Sequence, residues 1–283
     1  MSYKTIISIE DLIKNLDNQE FIIFDCRCDI KDSKHGIESY TEGHIRNSIF
    51  VDIDNDLASK KTLKSGRHPL PDPDLLTEKL SQWGLSNEKQ AIVYDDAGGA
   101  FASRMWWILK WIGHEKVAVL DGGIHEWNKK GGKLVTDQTI FNRAEFNINI
   151  NDAMQVPVSE VEDAQYKMDR IIIDARSKER YLGIEDNVDP IAGHVPGAIS
   201  HPLSNNLTKS GTFKSASELR LIYSKILGDT SPSTMISMCG SGITACHNIL
   251  AMEIAGLPGA KLFVGSWSEW ITDSNRPIAK IDS

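Results

Sequence analysis

The chain has 283 residues, enough for two domains of about 100–150 residues each. With 41% hydrophobic and 25% charged residues it has a globular composition, and a net charge of −8 supplies no basic footprint for a nucleic-acid partner. The start, MSYKTIISIEDLIKN, has no long apolar core behind its lysine, and no apolar run approaches the roughly 20 residues that span a bilayer. A cytoplasmic protein with no membrane partner is expected.

In chain order, the periodicity of EDLIKNL predicts a first helix, followed by the short apolar run FIIFDCR at 21–27. TEGHIRNSIFVDI (41–53), AIVYDDAGGAFASRMWWILKWIG (91–113) and VAVLDGGIHEWNKKG (117–131) come next. About 150 residues later the same blocks return in the same order. RIIIDAR (170–176) matches FIIFDCR, IAGHVPGAISHPL (191–203) matches the GH segment, and MISMCGSGITACHNILAMEIAG (235–256) matches 91–113. KLFVGSWSEWITD (261–273) closes the second series, so the chain is read as a duplicated domain.

Each copy alternates short β-branched runs with helical stretches, the pattern of an α/β fold: tandem domains, each a parallel sheet with helices on both faces. SASE at 215–218 reads as a capping box opening the helix SELRLIYSKIL. The Asn-rich segment around FNRAEFNININD falls between the copies. The expected organisation is a first domain over 1–140, a linker over 141–156 and a second domain over 157–283. Trp106, Trp107 and Trp111 on one helix, with Trp127, Trp267 and Trp270 after the last strands, are expected to pack in the cores.

The four cysteines, Cys26, Cys28, Cys239 and Cys246, are too few for a disulfide scaffold and their spacings fit no zinc knuckle. No metal or organic cofactor is implied. Cys239 ends an apolar run and precedes Gly-Ser-Gly, with a helix expected from Thr244 or Ala245. Two glycines let the turn point its amides inward, and the nest with the helix dipole behind it favours a nucleophilic thiolate. The alternative is a buried structural cysteine. The first copy carries Asp95 at the matching point, which argues for a turn open to solvent in both copies with only the second armed. A Cys-x5-Arg phosphatase is disfavoured, because Ala245 stands where that chemistry needs its arginine and no Arg or Lys occurs from 239 to 260.

CGSGITA, together with DAR, RYLG, GHVPGAI, RMWWILKWIGHEKVAVLDGG and EW in order, resembles the two-domain rhodanese-type sulfurtransferases, and most nearly their 3-mercaptopyruvate branch. The resemblance implies a first rhodanese-like domain without a catalytic cysteine and a catalytic second one. It implies that Cys239 takes sulfur from 3-mercaptopyruvate as a persulfide, releases pyruvate, and passes the sulfur to a thiol, thioredoxin or cyanide. It further implies that the amides of Gly240, Ser241, Gly242, Ile243, Thr244 and Ala245 hold the transferred sulfur. Arg180 would bind the donor's anionic group, and Ser241 and His44 would relay a proton. His194 occupies the repeat position of His44, so a turn-holding role for both histidines stays open, as does the carboxylate partner, Asp32 or Glu42.

One position departs from the 3-mercaptopyruvate branch. Asp189 stands nine residues after Arg180, where a second arginine is usual, and keeps a thiosulfate:cyanide sulfurtransferase as the alternative, beside a persulfide carrier for a protein partner. Arg46 or Arg104 could supply the missing charge. Cys26 and Cys28 could be redox-sensitive thiols, Cys246 is expected to be buried, and Asp25/Arg27 and Asp174/Arg176 are read as ion pairs within each domain that tie the strand end to the cysteine-side turn.

Overall fold

The computed structural model describes residues 2–167 and 169–280. Two compact units result, and neither is a contiguous stretch. Unit 1 comprises residues 1–59, 70–151 and 208–213; unit 2 comprises 60–69, 152–207 and 214–283. The segment expected as a linker divides at 151/152, and two short segments belong to the unit opposite their own repeat.

Unit 1 contains β1 (Ile6–Ile7), β2 (Phe21–Asp25), β3 (His44–Ile45), β4 (Ser48–Phe50), β5 (Gln90–Tyr94), β6 (Val117–Leu120) and β7 (Leu134–Val135). Five of these form a parallel sheet in the order β1-β6-β5-β2-β4, and β3 pairs antiparallel with β7. Unit 2 contains β8 (Gln155–Val156), β9 (Ile171–Asp174), β10 (Ile199–Ser200), β11 (Met235–Met238) and β12 (Lys261–Phe263). Its parallel sheet runs β10-β9-β11-β12-β8, the same order of equivalent strands as in unit 1. Every residue of β5, β6 and β11 is buried, as continuous apolar runs require when helices cover both faces of a parallel sheet.

Register sets what meets at the sheet's carboxyl edge. Asp25 pairs with Tyr94 across β2 and β5, and Asp174 pairs with Met238 across β9 and β11. The next residues are Asp95 and Cys239. At both edges the sequence repeat becomes a structural one. Arg27 donates to Asp25 at 2.6 Å and to the Gly43 carbonyl at 2.8 Å, while Arg176 donates to Asp174 at 2.7 Å and to the Gly193 carbonyl at 2.7 Å. The expected ion pairs form, but their arginines brace the GH turns rather than the cysteine-side turn, and removing one partner of such a buried pair typically costs about 3–5 kcal/mol. The tryptophans are core residues: Trp106, Trp107, Trp127, Trp267 and Trp270 are among the largest fully buried side chains, and Trp111 is buried beside Trp107. The helix Ala216–Leu227 opens with the expected capping box between Ser215 and Glu218.

Candidate active site

Cys239 stands directly after β11, and the following helix, Ala245–Ile254, begins with Thr244 as its N-cap. The turn between them is held from inside and outside. The Gly242 N–H donates to Cys239 Sγ at 3.1 Å, and Gly242 has φ +79, the left-handed region that favours glycine. A Cβ there would also be driven into the Val264 carbonyl. The Ser237 hydroxyl donates to the Ala245 carbonyl at 2.9 Å and the Cys246 thiol to the Gly242 carbonyl at 3.3 Å, so Cys246 is a buried tie.

From outside, the segment after β12 grips the backbone. Trp267 and Ser268 donate their N–H groups to the carbonyls of Cys239 and Gly240 at 3.0 and 2.8 Å. Ser266 Oγ accepts the Cys239 N–H at 3.0 Å and donates to the Phe263 carbonyl at 2.9 Å. Ser266 does this with φ +51, whereas the equivalent residue of unit 1 is Gly123 with φ +54. A serine in a glycine conformation costs about 1–2 kcal/mol, and this strained residue is the one that binds the Cys239 N–H.

The matching turn of unit 1 corrects one expectation. Asp95 and Cys239 are not open to solvent; they are 1% and 2% exposed. Burial of an aspartate is possible because Oδ1 accepts N–H bonds from Ala97 and Gly99 and Oδ2 from Phe101 and Ala102, all at 2.8–2.9 Å. Burial still pushes its carboxyl above the ordinary value, with those amides pulling it back. The Asp95 turn is therefore an anion cradle filled by its own carboxylate, and the matching turn of unit 2 holds a thiol that accepts the Gly242 N–H.

Two arginines flank the cysteine turn within unit 2. A Cβ built on Gly240 would lie 2.9 Å from Arg67 Nη2 and 3.1 Å from Arg180 Nη2. Both guanidiniums donate to Asp189, Arg180 Nη2 to Oδ2 at 2.6 Å and Arg67 Nη1 to Oδ1. Asp189 is thus neither a bare repulsive charge nor pointed away; its side chain is 1% exposed between two cations. Burial raises its carboxyl against the pull of both arginines. Arg180 Nε also donates to Asp186 at 3.1 Å, and Asp186 Oδ1 accepts the N–H groups of Val188 and Asp189, folding that loop.

The second cation is not one the sequence suggested. Arg46 pairs with Asp17 and Arg104 is fully buried in a unit 1 helix. Arg67 lies in the 60–69 segment that belongs to unit 2, anchored by its N–H to Ser268 Oγ at 3.0 Å. Nothing in SGRHPL marks this placement beyond a basic residue in a glycine- and proline-containing loop.

Of the other expected residues, Ser241 and Ile243 are buried in the turn and Thr244 is half-buried. His44 is not placed as a relay group. It belongs to unit 1, stacks on Tyr40 at 3.8 Å, and has Nδ1 at 2.8 Å from the Tyr40 carbonyl and Nε2 at 3.1 Å from the Asp137 carbonyl. His194 repeats this with Tyr181, ring on ring at 3.8 Å and Nδ1 at 2.7 Å from its carbonyl, which identifies a shared turn-holding device. The first-half histidine that unit 2 does hold is His68, next to Arg67 and half-buried. Asp32 and Glu42 are both exposed. Burial raises Cys26 strongly and pushes the Cys28 thiol up to about 12, which does not suit redox-sensitive thiols. Among the described residues no cluster of His, Cys, Asp and Glu is arranged to hold a metal ion, and no helix is long and apolar enough to cross a membrane.

The family described as "Rhodanese-like domain" matches residues 8–130 and 158–273, one match per repeat. The chain belongs to the rhodanese-like family. A probable 3-mercaptopyruvate sulfurtransferase of Pseudomonas aeruginosa is 36% identical over 284 residues, covering 100% of both chains. Rat thiosulfate sulfurtransferase is 33% identical over 239 residues, 82% of this chain and 79% of its own. In structure, the 3-mercaptopyruvate sulfurtransferase from Leishmania major superposes with a TM-score of 0.86 at 27% identity, covering 97% of this chain and 76% of that one. This rhodanese-type chain is accordingly a two-domain sulfurtransferase, and its cysteine turn and flanking arginines are the features from which the reaction is read.

Proposed function

We propose that the protein moves sulfur from 3-mercaptopyruvate through a persulfide on Cys239 to a thiol acceptor, releasing pyruvate. The observation that carries this reading is the Cys239 turn: a sulfur receiving an amide N–H, followed by the neutral pair Gly240-Ser241, with guanidiniums beside Gly240. The reacting form of a cysteine nucleophile is its thiolate. That thiolate attacks the donor's sulfur, the donor's C–S bond breaks, and its electron pair leaves on carbon as the pyruvate enolate, which takes up a proton. An acceptor thiolate, thioredoxin or cyanide then attacks the outer sulfur and returns Cys239 to thiolate. No step needs a metal or an organic cofactor.

The remaining amides, from Ile243 to Ala245, would serve the outer sulfur as four amides serve Asp95 in unit 1. Arg180 suits the donor's carboxylate, since a planar guanidinium binds a carboxylate in fixed geometry. For the enolate's proton we favour Ser241 with His68, because His68 shares a unit with the cysteine whereas both His44 nitrogens face carbonyls.

A second reading, thiosulfate as donor, is favoured by Asp189 and by the resemblance to rat thiosulfate sulfurtransferase. Steady-state pyruvate release from 3-mercaptopyruvate, set against thiocyanate formation from thiosulfate and cyanide, separates the two. Incubation with donor should add the mass of one sulfur atom at Cys239. Full activity in Cys239→Ser would sink both readings.

A further inference from the structure

The segment 60–69, which folds with unit 2, reads KKTLKSGRHP and runs against the charge of the rest of the chain. Lys60, Lys61, Lys64 and Arg67 fall within residues 60–67, and no Asp or Glu occurs from 57 to 71, in a protein of net charge −8. Lys60, Lys61, Thr62, Leu63 and Lys64 are all exposed. Leu63, at 97%, is more exposed than any other large hydrophobic side chain described.

A single exposed leucine is ordinary, but this one is held out on a preformed support. The tip is folded by its own hydroxyls. The Thr62 N–H donates to Ser65 Oγ at 2.8 Å, and the N–H groups of Lys64 and Ser65 donate to Thr62 Oγ1 at 3.3 and 3.1 Å. The root is clamped. A Cβ on Gly66 would lie 2.4 Å from the Gly265 carbonyl oxygen, so glycine alone permits this approach, and the Arg67 N–H is held by Ser268 Oγ at 3.0 Å. Ser268 gives its own N–H to the Gly240 carbonyl at 2.8 Å, which roots the loop on the residue after the nucleophile. Leu63 is four residues from Arg67, so at most about 14 Å of chain separates tip from root.

We propose that the 60–67 loop is the docking surface for a negatively charged protein whose thiol takes the sulfur from Cys239, with Leu63 seated in an apolar pocket of that protein. This rests on the sulfur-transfer reading above and names the acceptor class of the same site. In the step served, the acceptor's thiolate attacks the outer sulfur of the persulfide, the S–S bond breaks, and its electron pair returns to Cys239 as thiolate. A small thiol gains nothing from a surface this far from the reacting sulfur. A protein of about 100 residues, with a radius of gyration of about 13 Å, covers tip and root together. Lysines around an apolar side chain supply a steering field and the charged rim and apolar centre of an ordinary interface. Because the loop is already folded, docking has little chain to order. A nucleic acid is the poorer occupant, since no Phe, Tyr or Trp occurs from 57 to 71 on which a base could stack.

The test measures kcat/KM for reduced thioredoxin of negative net charge and for 2-mercaptoethanol, both at saturating 3-mercaptopyruvate, in the full chain and in two variants. In Lys60→Glu/Lys61→Glu/Lys64→Glu the thioredoxin value should fall about tenfold or more at low salt, the gap closing as salt rises, while the 2-mercaptoethanol value stays. Leu63→Ser should lower the thioredoxin value about tenfold at every salt concentration. Loss for both acceptors alike, or for neither, would overturn the proposal. An effect of the lysines with none at Leu63 would do so too, because it marks a general field and not a docked tip. If the charge reversal abolished binding of a single-stranded RNA oligonucleotide and left thioredoxin turnover unchanged, the loop would be a nucleic-acid contact and the proposal wrong. Failure of the underlying reading looks different, since the unsubstituted protein would then release no pyruvate with either acceptor.

Discussion

Asp95 and Cys239 stand at the same point of the two repeats, each one residue beyond a central strand and each accepting N–H bonds from the turn that follows. The carboxylate saturates its turn with four amides. The thiol accepts one, from Gly242.

Replacing Asp95 with alanine should destabilise unit 1 without altering chemistry. Four buried N–H groups would lose their acceptor, a loss of about 3–5 kcal/mol when a buried charged partner is removed. Thermal unfolding should show the drop, while the folded protein still acquires one sulfur on Cys239 and keeps its donor preference.

Ser266→Gly separates strain from tethering. The glycine relieves a left-handed serine but deletes the acceptor for the Cys239 N–H, and the two effects, each about 1 kcal/mol, should nearly cancel in stability. Activity should not cancel. A displaced nucleophile is expected to lower kcat about tenfold or more with little change in melting temperature.

His68 and His44 should fail in different assays. His68→Gln removes the proposed proton donor and should lower kcat on the order of 10²-fold at near-normal stability. His44→Gln should lose about 1–3 kcal/mol of stability through its two carbonyl contacts and its stack on Tyr40, with kcat of the folded protein largely kept. The reverse pattern would return the relay to His44.

His114 predicts an acid limb of stability. Burial in unit 1 lowers it to about 4 from 6.5. The unfolded chain then binds the proton more readily than the native one, so stability is complete above about pH 6.5, falls between 6.5 and 4, and is lost below. The full loss is about 3 kcal/mol, from 1.36 kcal/mol per pH unit. Denaturant unfolding at pH 7 and pH 5 should differ less in His114→Phe than in the unsubstituted protein.

The duplication, the parallel order and the cysteine turn were legible because strand runs, GH turns and glycine spacing are local signals that each repeat states twice. The Asp25/Arg27 and Asp174/Arg176 pairs were legible for the same reason. Arg67 was not, because its partner Asp189 is 122 residues away and only the fold carries residues 60–69 into unit 2. The openness of the Asp95 turn was misjudged because the rule that carboxylates stay in water yields when four backbone donors converge on one. For His44 the repeat left relay and turn-holding both open, and only the contacts of its two nitrogens with the Tyr40 and Asp137 carbonyls, lying outside any local sequence signal, favour the second.

The exchange of residues 60–69 has a consequence for how this protein can be divided. A fragment beginning at the repeat boundary would keep Cys239, its amide cradle and Arg180, yet lack Arg67 and His68, and with them one of the two cations beside Gly240. The stretch that repeats in the sequence and the stretch that folds together as unit 2 are different pieces of chain.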